Sequence, residues 1–120
     1  MMRKLLRGKI HRATATGADL HYEGSVTIDE DLMDRADLVP HEAVQVWNVT
    51  NGERFETYVI PGERGSGAIV LNGATAHLGK VGDRLTIMSY TFIDEALAKK
   101  WEPNVLVLGG KNVIKQQRGN

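Results

Sequence analysis

The chain has 120 residues, with hydrophobic residues at 42% and 13 glycines, the size and make-up of one globular domain rather than a disordered chain. Fifteen Lys and Arg balance fifteen Asp and Glu, which argues against a dedicated nucleic-acid binder. With no cysteine, disulfides, thiolate chemistry and cysteine-ligated metals are excluded.

In chain order, the N-terminal stretch is basic: Arg3, Lys4, Arg7, Lys9 and Arg12. It lacks the long apolar segment of a secretory signal, and no apolar run reaches the ~20 residues of a membrane span. The expectation is a soluble cytoplasmic protein. Lys9 and His11 flank Ile10 on one face of a strand, which reads as an amphipathic edge strand protected by its lysine. A short strand is expected at 25–28. A helix over 29–37 follows, with Asp29 able to cap it and Leu32, Met33 and Ala36 at helical spacing.

Residues 43–50 (AVQVWNVT) are rich in β-branched side chains, and Asn51-Gly52 then signals a type I′ hairpin turn. The return strand is 53–60. Alternation puts Arg54, Glu56 and Tyr58 on one of its faces and Phe55, Thr57 and Val59 on the other. An arginine fork, a carboxylate and a phenol in one row can hold a small carboxylate and move a proton; equally, they suit a solvated face with an Arg–Glu pair. Pro61-Gly62 and Gly65-Ser66-Gly67 punctuate a loop. Strands are expected at 68–71, 84–92 and 104–108, and a helix at 94–101 that Pro103 stops. Six or seven short strands with two small helices suggest a compact β-barrel.

Few motifs carry chemistry. The serines 25, 66 and 89 lie outside any G-x-S-x-G elbow. The four histidines, His11, His21, His41 and His77, show no metal-ligand spacing, and 62–67 lacks the lysine-hydroxyl pair of a phosphate loop. Gly24-Ser25 is chemically distinctive. Glycine tolerates an unusual backbone and leaves its carbonyl carbon unhindered, so the Ser25 hydroxyl could attack it in an N-to-O acyl shift. By turn statistics alone, the pair is an ordinary entry into a strand.

The pieces resemble one family in order and spacing. KIHRATAT (9–16), ADLHYEGSVTIDEDLMD (18–34), WNVTNGERFETYVIPGERGSG (47–67), NGATAHL (72–78) and VGD (81–83) are similar to the pyruvoyl-dependent aspartate decarboxylases. The match covers most of residues 1–92 and is weak beyond. The resemblance implies a six-stranded double-ψ β-barrel with two or three short helices, one domain over 1–120, and a homotetramer. It implies a lyase that converts L-aspartate to β-alanine and CO2 for pantothenate and coenzyme A biosynthesis. It also implies autocatalytic cleavage of a proenzyme into 1–24 and 25–120, with Ser25 becoming a covalent pyruvoyl group. That carbonyl would form a Schiff base with the substrate amine and act as electron sink, in the role PLP plays elsewhere, with no PLP and no metal.

The implied roles are Ser25 as covalent catalyst, Tyr58 as proton donor, and Arg54 and Lys9 as carboxylate binders. Thr57, Gly73, Ala74 and Thr75 would hydrogen-bond substrate. Gly24, Ser25, Thr57 and Asn72 would serve processing, with His11 and Tyr22 nearby. Some members of the family need a separate maturation protein. The family usually carries alanine where Thr75 stands here. A backbone role leaves that change neutral, whereas a side chain entering the pocket narrows substrate fit. The alternative is a non-catalytic small barrel that binds a partner or nucleic acid through the basic N-terminal stretch and the tail residues Lys111, Lys115 and Arg118.

Overall fold

The computed structural model describes residues 1–119. Nine strands form one hydrogen-bonded order. They are β1 (Met2–Thr14), β2 (Gly17–Asp19), β3 (Ser25–Asp29), β4 (Ala43–Asn48), β5 (Arg54–Gly62), β6 (Ile69–Asn72), β7 (Arg84–Asp94), β8 (Asn104–Leu108) and β9 (Ile114–Arg118). The order across the sheet is β2-β6-β3-β5-β4-β7-β1-β8-β9. β1 passes into β2 through Ala15 and Thr16, whose amides donate to Asp83 O at 2.9 Å and Ile69 O at 2.8 Å. This mainly-β arrangement fits a small barrel. Two helices, α1 (Glu30–Ala36) and α2 (Glu95–Ala98), and a 3-10 turn at Gly73–His77 complete the elements that matter below.

The core is where alternation predicts it. Val26 and Ile28 of β3, Val44 and Val46 of β4, Val59 of β5, and Ile69 and Leu71 of β6 are buried, with Ile10, Leu85, Ile87 and Leu106 from the other half. Each such side chain stabilises the fold by ~1.5–3 kcal/mol relative to exposure. α1 closes the core with Leu32, Met33 and Ala36. Its ends obey local rules: the Asp29 carboxylate accepts from Asp31 N, and Asp37 caps the other end in the left-handed conformation at φ 58°.

Four local expectations are corrected. β1 is not an edge strand: it pairs antiparallel with β7 and parallel with β8. A bulge between Ile10 and Ala13, with Arg12 at φ 64°, lets it turn in the middle of the sheet. The Asn51-Gly52 turn is not type I′. Gly52 has a positive φ of 83° but Asn51 does not. The buried Asn48 ends β4 early by accepting from Thr50 N at 3.0 Å and Asn51 N at 3.2 Å, which wraps a longer loop around its side chain.

β5 runs through Pro61-Gly62 instead of ending at Ile60. β4 pairs only as far as Tyr58, so the missing Pro61 N–H breaks no ladder bond on that side. α2 stops at Ala98, short of Trp101. Beyond it the chain tightens to three-residue turns, Lys100 N donating to Leu97 O at 3.3 Å and Trp101 N to Ala98 O at 3.2 Å, while Trp101 Nε1 donates to Leu6 O at 2.8 Å.

Candidate active site

Ser25 opens β3 and is fully buried. Its partner across the antiparallel β3–β6 ladder is Asn72, so their side chains share a face. Asn72 Nδ2 donates to Ser25 Oγ at 3.1 Å and to Thr27 Oγ1 at 2.8 Å. Ser25 Oγ in turn donates to the carbonyl of Glu23 at 2.9 Å, across the Gly24–Ser25 peptide. The hydroxyl is thus held between the Asn72 amide donor and the carbonyl two residues before it.

The backbone around Gly24 is shaped by Gly73. Gly73 adopts φ +62°, and a Cβ there would stand 2.7 Å from Gly24 Cα and 2.8 Å from Tyr22 O. A side chain would be strained by its backbone and would collide with residues 22–24. Gly24 itself has open space where a Cβ would project. Ala74 is exposed, as is the Tyr22 ring. Thr75 is buried, and its hydroxyl lies 2.8 Å from Asn72 O and 3.3 Å from Ser25 O. The side chain therefore turns toward the backbone of residues 25 and 72, an arrangement between the two alternatives its sequence position left open.

β5 lies on the other side of β3. The two run parallel with Val26 opposite Val59, and continuing that register backwards sets Tyr58 level with Ser25 and Thr57 level with Gly24. Tyr58 is half-buried beside His41, with ring centroids 6.0 Å apart. Arg54 is exposed, four residues and therefore ~13 Å along the strand from Tyr58. Its guanidinium stacks on the Trp47 ring at 4.2 Å from the centroid. The Arg54–Glu56 pair allowed by alternation does not form: Glu56 instead accepts from Gln45 Nε2 at 3.0 Å.

Within one chain, Lys9 and His11 are not brought to this cluster. They sit on β1, which β7, β4 and β5 separate from β3 in the sheet order. His11 Nδ1 is buried with no hydrogen-bond partner. Burial, then the neighbouring Lys9, Arg12, Arg118 and Arg84 charges, hold the imidazole below its ordinary pKa, so it is neutral at pH 7.

The sequence reading missed Thr27 and Trp47. Thr27 was within reach, since period-two alternation places it on the face of Ser25. Trp47 had no comparable signal, because its contact with Arg54 depends on cross-strand register.

The basic N-terminal stretch is largely engaged inside the fold. Arg3 pairs with Glu95 at 2.7 Å, Arg7 with Asp37 at 2.7 Å and Glu42 at 2.6 Å, and Lys4 lies over the Tyr90 ring. A cavity of about 510 Å3 lies away from Ser25, lined by Arg7, Asp37, Arg35 and Trp101 among others. Its arginines are occupied too, Arg35 by Gln117 at 2.6 Å. Among the described residues no three His, Asp or Glu side chains gather as a metal site, and no helix is long and apolar enough to cross a membrane.

Comparison with known proteins shows the family. The aspartate decarboxylase family model matches residues 1–115, extending well into the tail where the sequence motifs were weak. A protein of Syntrophotalea carbinolica named aspartate 1-decarboxylase is 53% identical over 118 residues, 98% of this chain and 90% of that one. Its namesake in Syntrophus aciditrophicus is 55% identical, covering 96% of this chain and 99% of its own. That of Bacillus subtilis is 52% identical, over 100% of this chain and 94% of its own. The family model's match over residues 1–115, with identity at this level over nearly the whole length, places the chain in the aspartate decarboxylase family.

Proposed function

We propose that the chain is a self-cleaving proenzyme, one domain over 1–120, whose mature form decarboxylates L-aspartate to β-alanine and CO2. The observation that carries this reading is the contact of Asn72 Nδ2 with Ser25 Oγ at 3.1 Å, on the residue that follows Gly24. Ser25 Oγ adds to the Gly24 carbonyl carbon, and the Ser25 amide nitrogen leaves to give an ester. Thr57, level with Gly24, is suited to donate to the oxyanion that develops there. Gly73 keeps residues 22–24 packed closely enough to hold that approach.

β-Elimination and hydrolysis then leave a pyruvoyl group at residue 25. The buried cradle fits such a group, with Asn72 Nδ2 and Thr75 Oγ1 as donors toward residue 25. The pyruvoyl group supplies the electron sink for the charge left when CO2 departs. The protein's residues do the rest. Arg54, stacked on Trp47 and ~13 Å along β5 from Tyr58, would clamp a substrate carboxylate in the site of a second copy of the chain. Tyr58, beside residue 25, delivers a proton to the carbon that lost CO2. The Gly73 and Ala74 backbone and Thr57 align the substrate. Tyr22 supports processing, and His11, on β1 beside Lys9, would do so in the site of a second copy, where a neutral imidazole can accept a proton and a cation could not.

Three strands separate Lys9 from β3 in the sheet order. In the homotetramer that we propose, Lys9 of one copy adds positive charge to the site of another. The exposed Val49, Val81, Phe92 and Leu97 are apolar surface suited to such contacts. The enzyme would work in the cytoplasm, feeding pantothenate and coenzyme A synthesis, with or without a maturation protein.

Cleavage would not release residues 1–24, because β1 remains paired on both sides within the sheet. The test is therefore intact-mass spectrometry under denaturing conditions. It should show fragments 1–24 and 25–120, the larger one ammonia lighter than a chain starting with serine. Ser25→Ala should give one uncut, inactive chain. A cut or active Ser25→Ala protein overturns the reading. Salt-sensitive binding to RNA or DNA by an uncut wild-type chain would favour the binding-module alternative.

A further inference from the structure

We infer that the Thr75 hydroxyl is a catalytic donor to the Ser25 carbonyl oxygen during elimination of the ester. This rests on the self-cleavage reading of the same site and concerns its second step rather than its first. In the ester, Ser25 Oγ carries the Gly24 acyl group and the Ser25 amine is free. A base removes the proton from Ser25 Cα. The electron pair left behind delocalises onto the Ser25 carbonyl oxygen as an enolate. It then returns to form the Cα–Cβ double bond as the Cβ–Oγ bond breaks, and Gly24 leaves as a carboxylate. The resulting enamine tautomerises, water adds, and ammonia departs. The slow species carries negative charge on Ser25 O, so a donor aimed at that atom lowers the barrier.

Thr75 is the side chain hydrogen-bonded to that oxygen among the described residues, at 3.3 Å. Both Asn72 Nδ2 protons have other acceptors, Ser25 Oγ and Thr27 Oγ1. The Thr75 hydroxyl has one proton and two carbonyls in reach. In the resting chain the closer one, Asn72 O at 2.8 Å, takes it. When charge gathers on Ser25 O, rotation about the Thr75 Cβ–Oγ bond redirects the proton without moving a heavy atom. A hydrogen bond to an ionised acceptor is roughly twice as strong as one to a neutral acceptor. The interaction therefore strengthens as the enolate forms, which is the condition for catalysis as opposed to uniform binding. Thr75 is 7% exposed, so little water competes for the charge.

The test follows freshly purified wild-type, Thr75→Val, Thr75→Ala and Thr75→Ser proteins by denaturing intact mass, with and without hydroxylamine. Hydroxylamine cuts the ester, giving the 1–24 hydroxamate and a 25–120 chain that begins with serine. Completed elimination gives instead the 25–120 chain one ammonia lighter. In Thr75→Val the ester should accumulate and elimination should slow by ~10- to 100-fold, below the loss of a fully aligned oxyanion donor. Thr75→Ser should restore most of the rate. Thr75→Ala, which is smaller and strains nothing, keeps the test valid if valine disturbs the turn.

Elimination at the wild-type rate in both Thr75→Val and Thr75→Ala overturns the inference. So does slow cleavage in which no hydroxylamine-sensitive ester builds up, because the hydroxyl would then act on the acyl shift. If the wild-type chain forms neither ester nor fragments, the self-cleavage reading itself fails and takes this one with it.

Discussion

Asn72 Nδ2 reaches both Ser25 Oγ, at 3.1 Å, and Thr27 Oγ1, at 2.8 Å, from the residue directly opposite Ser25 across the β3–β6 ladder. One amide therefore fixes two hydroxyls that lie two residues apart on the same strand face. Replacing it with alanine removes the donor beside the attacking oxygen and leaves two polar groups short of a partner. Asn72→Ala should slow self-cleavage by ~100-fold or more while the chain still folds, with stability lower by ~1–3 kcal/mol. The fraction cut against time on a denaturing gel, beside a thermal melt, checks both halves. Cleavage at the wild-type rate would remove Asn72 from the processing machinery.

Gly73 and Gly52 both have positive φ, +62° and +83°, but their surroundings differ. A Cβ at Gly52 meets nothing within 4 Å, whereas one at Gly73 runs into the Gly24 backbone at 2.7 Å. Gly52→Ala should cost ~1–2 kcal/mol of backbone strain and leave cleavage unchanged. Gly73→Ala carries the same strain and also pushes residues 22–24 away from Ser25, so cleavage should be lost. The pair separates strain from collision; equal cleavage in the two variants would contradict the packing role of Gly73.

Tyr58 falls level with Ser25 when the β3–β5 register is continued back from Val26 and Val59, and among the described residues no hydrogen bond ties it to Glu23, Ser25 or Asn72. Tyr58→Phe should therefore process normally and melt close to wild type. Turnover of aspartate should fall by ~10²- to 10⁴-fold, the usual range for loss of a positioned proton donor. Combining intact mass with an assay of β-alanine formation reads both. Normal turnover would exclude Tyr58 as the donor.

Asp83 is buried, and its carboxylate accepts from Asn48 Nδ2 at 2.8 Å and from Lys80 N at 3.0 Å. The Asn48 hydrogen bond does most to hold its pKa below the usual 3.8; the Lys80 amide and charge help, and burial opposes them. A carboxyl depressed in the folded state binds fewer protons there than in the unfolded chain. Its stabilisation is complete above the unfolded pKa and disappears as pH falls through the folded one. Asp83→Asn should thus lower the melting temperature at pH 6 and flatten its dependence on pH below ~4. A melting curve as steep below pH 4 as that of wild type would show that other carboxyls control acid unfolding.

What could be read from the sequence was local. The α1 helix, its Asp29 cap and its buried Leu32, Met33 and Ala36 follow from spacing within a few residues. So does the alternation of β5, which sorts Arg54, Glu56 and Tyr58 from Phe55, Thr57 and Val59. Gly24-Ser25 was recognisable as chemistry because glycine and a following hydroxyl are neighbours in the chain. The family resemblance added roles to those residues by motif alone.

What only the tertiary structure decided depends on register between distant segments. Asn72 meets Ser25 across 47 residues of sequence, and Thr75 meets its carbonyl across 50. A shift of one residue in either strand would turn those side chains to the other face. β1 reads as an edge because its surface is basic, yet it lies between β7 and β8, where Arg3 and Arg7 find carboxylates from remote positions. Asn48 ends β4 and Trp101 is tied to Leu6 O through contacts that local propensity does not contain. Side-chain type and alternation are properties of neighbouring residues, so the sequence alone determined the candidates; which of them share one face and one hydrogen bond is set by the packing of the whole sheet.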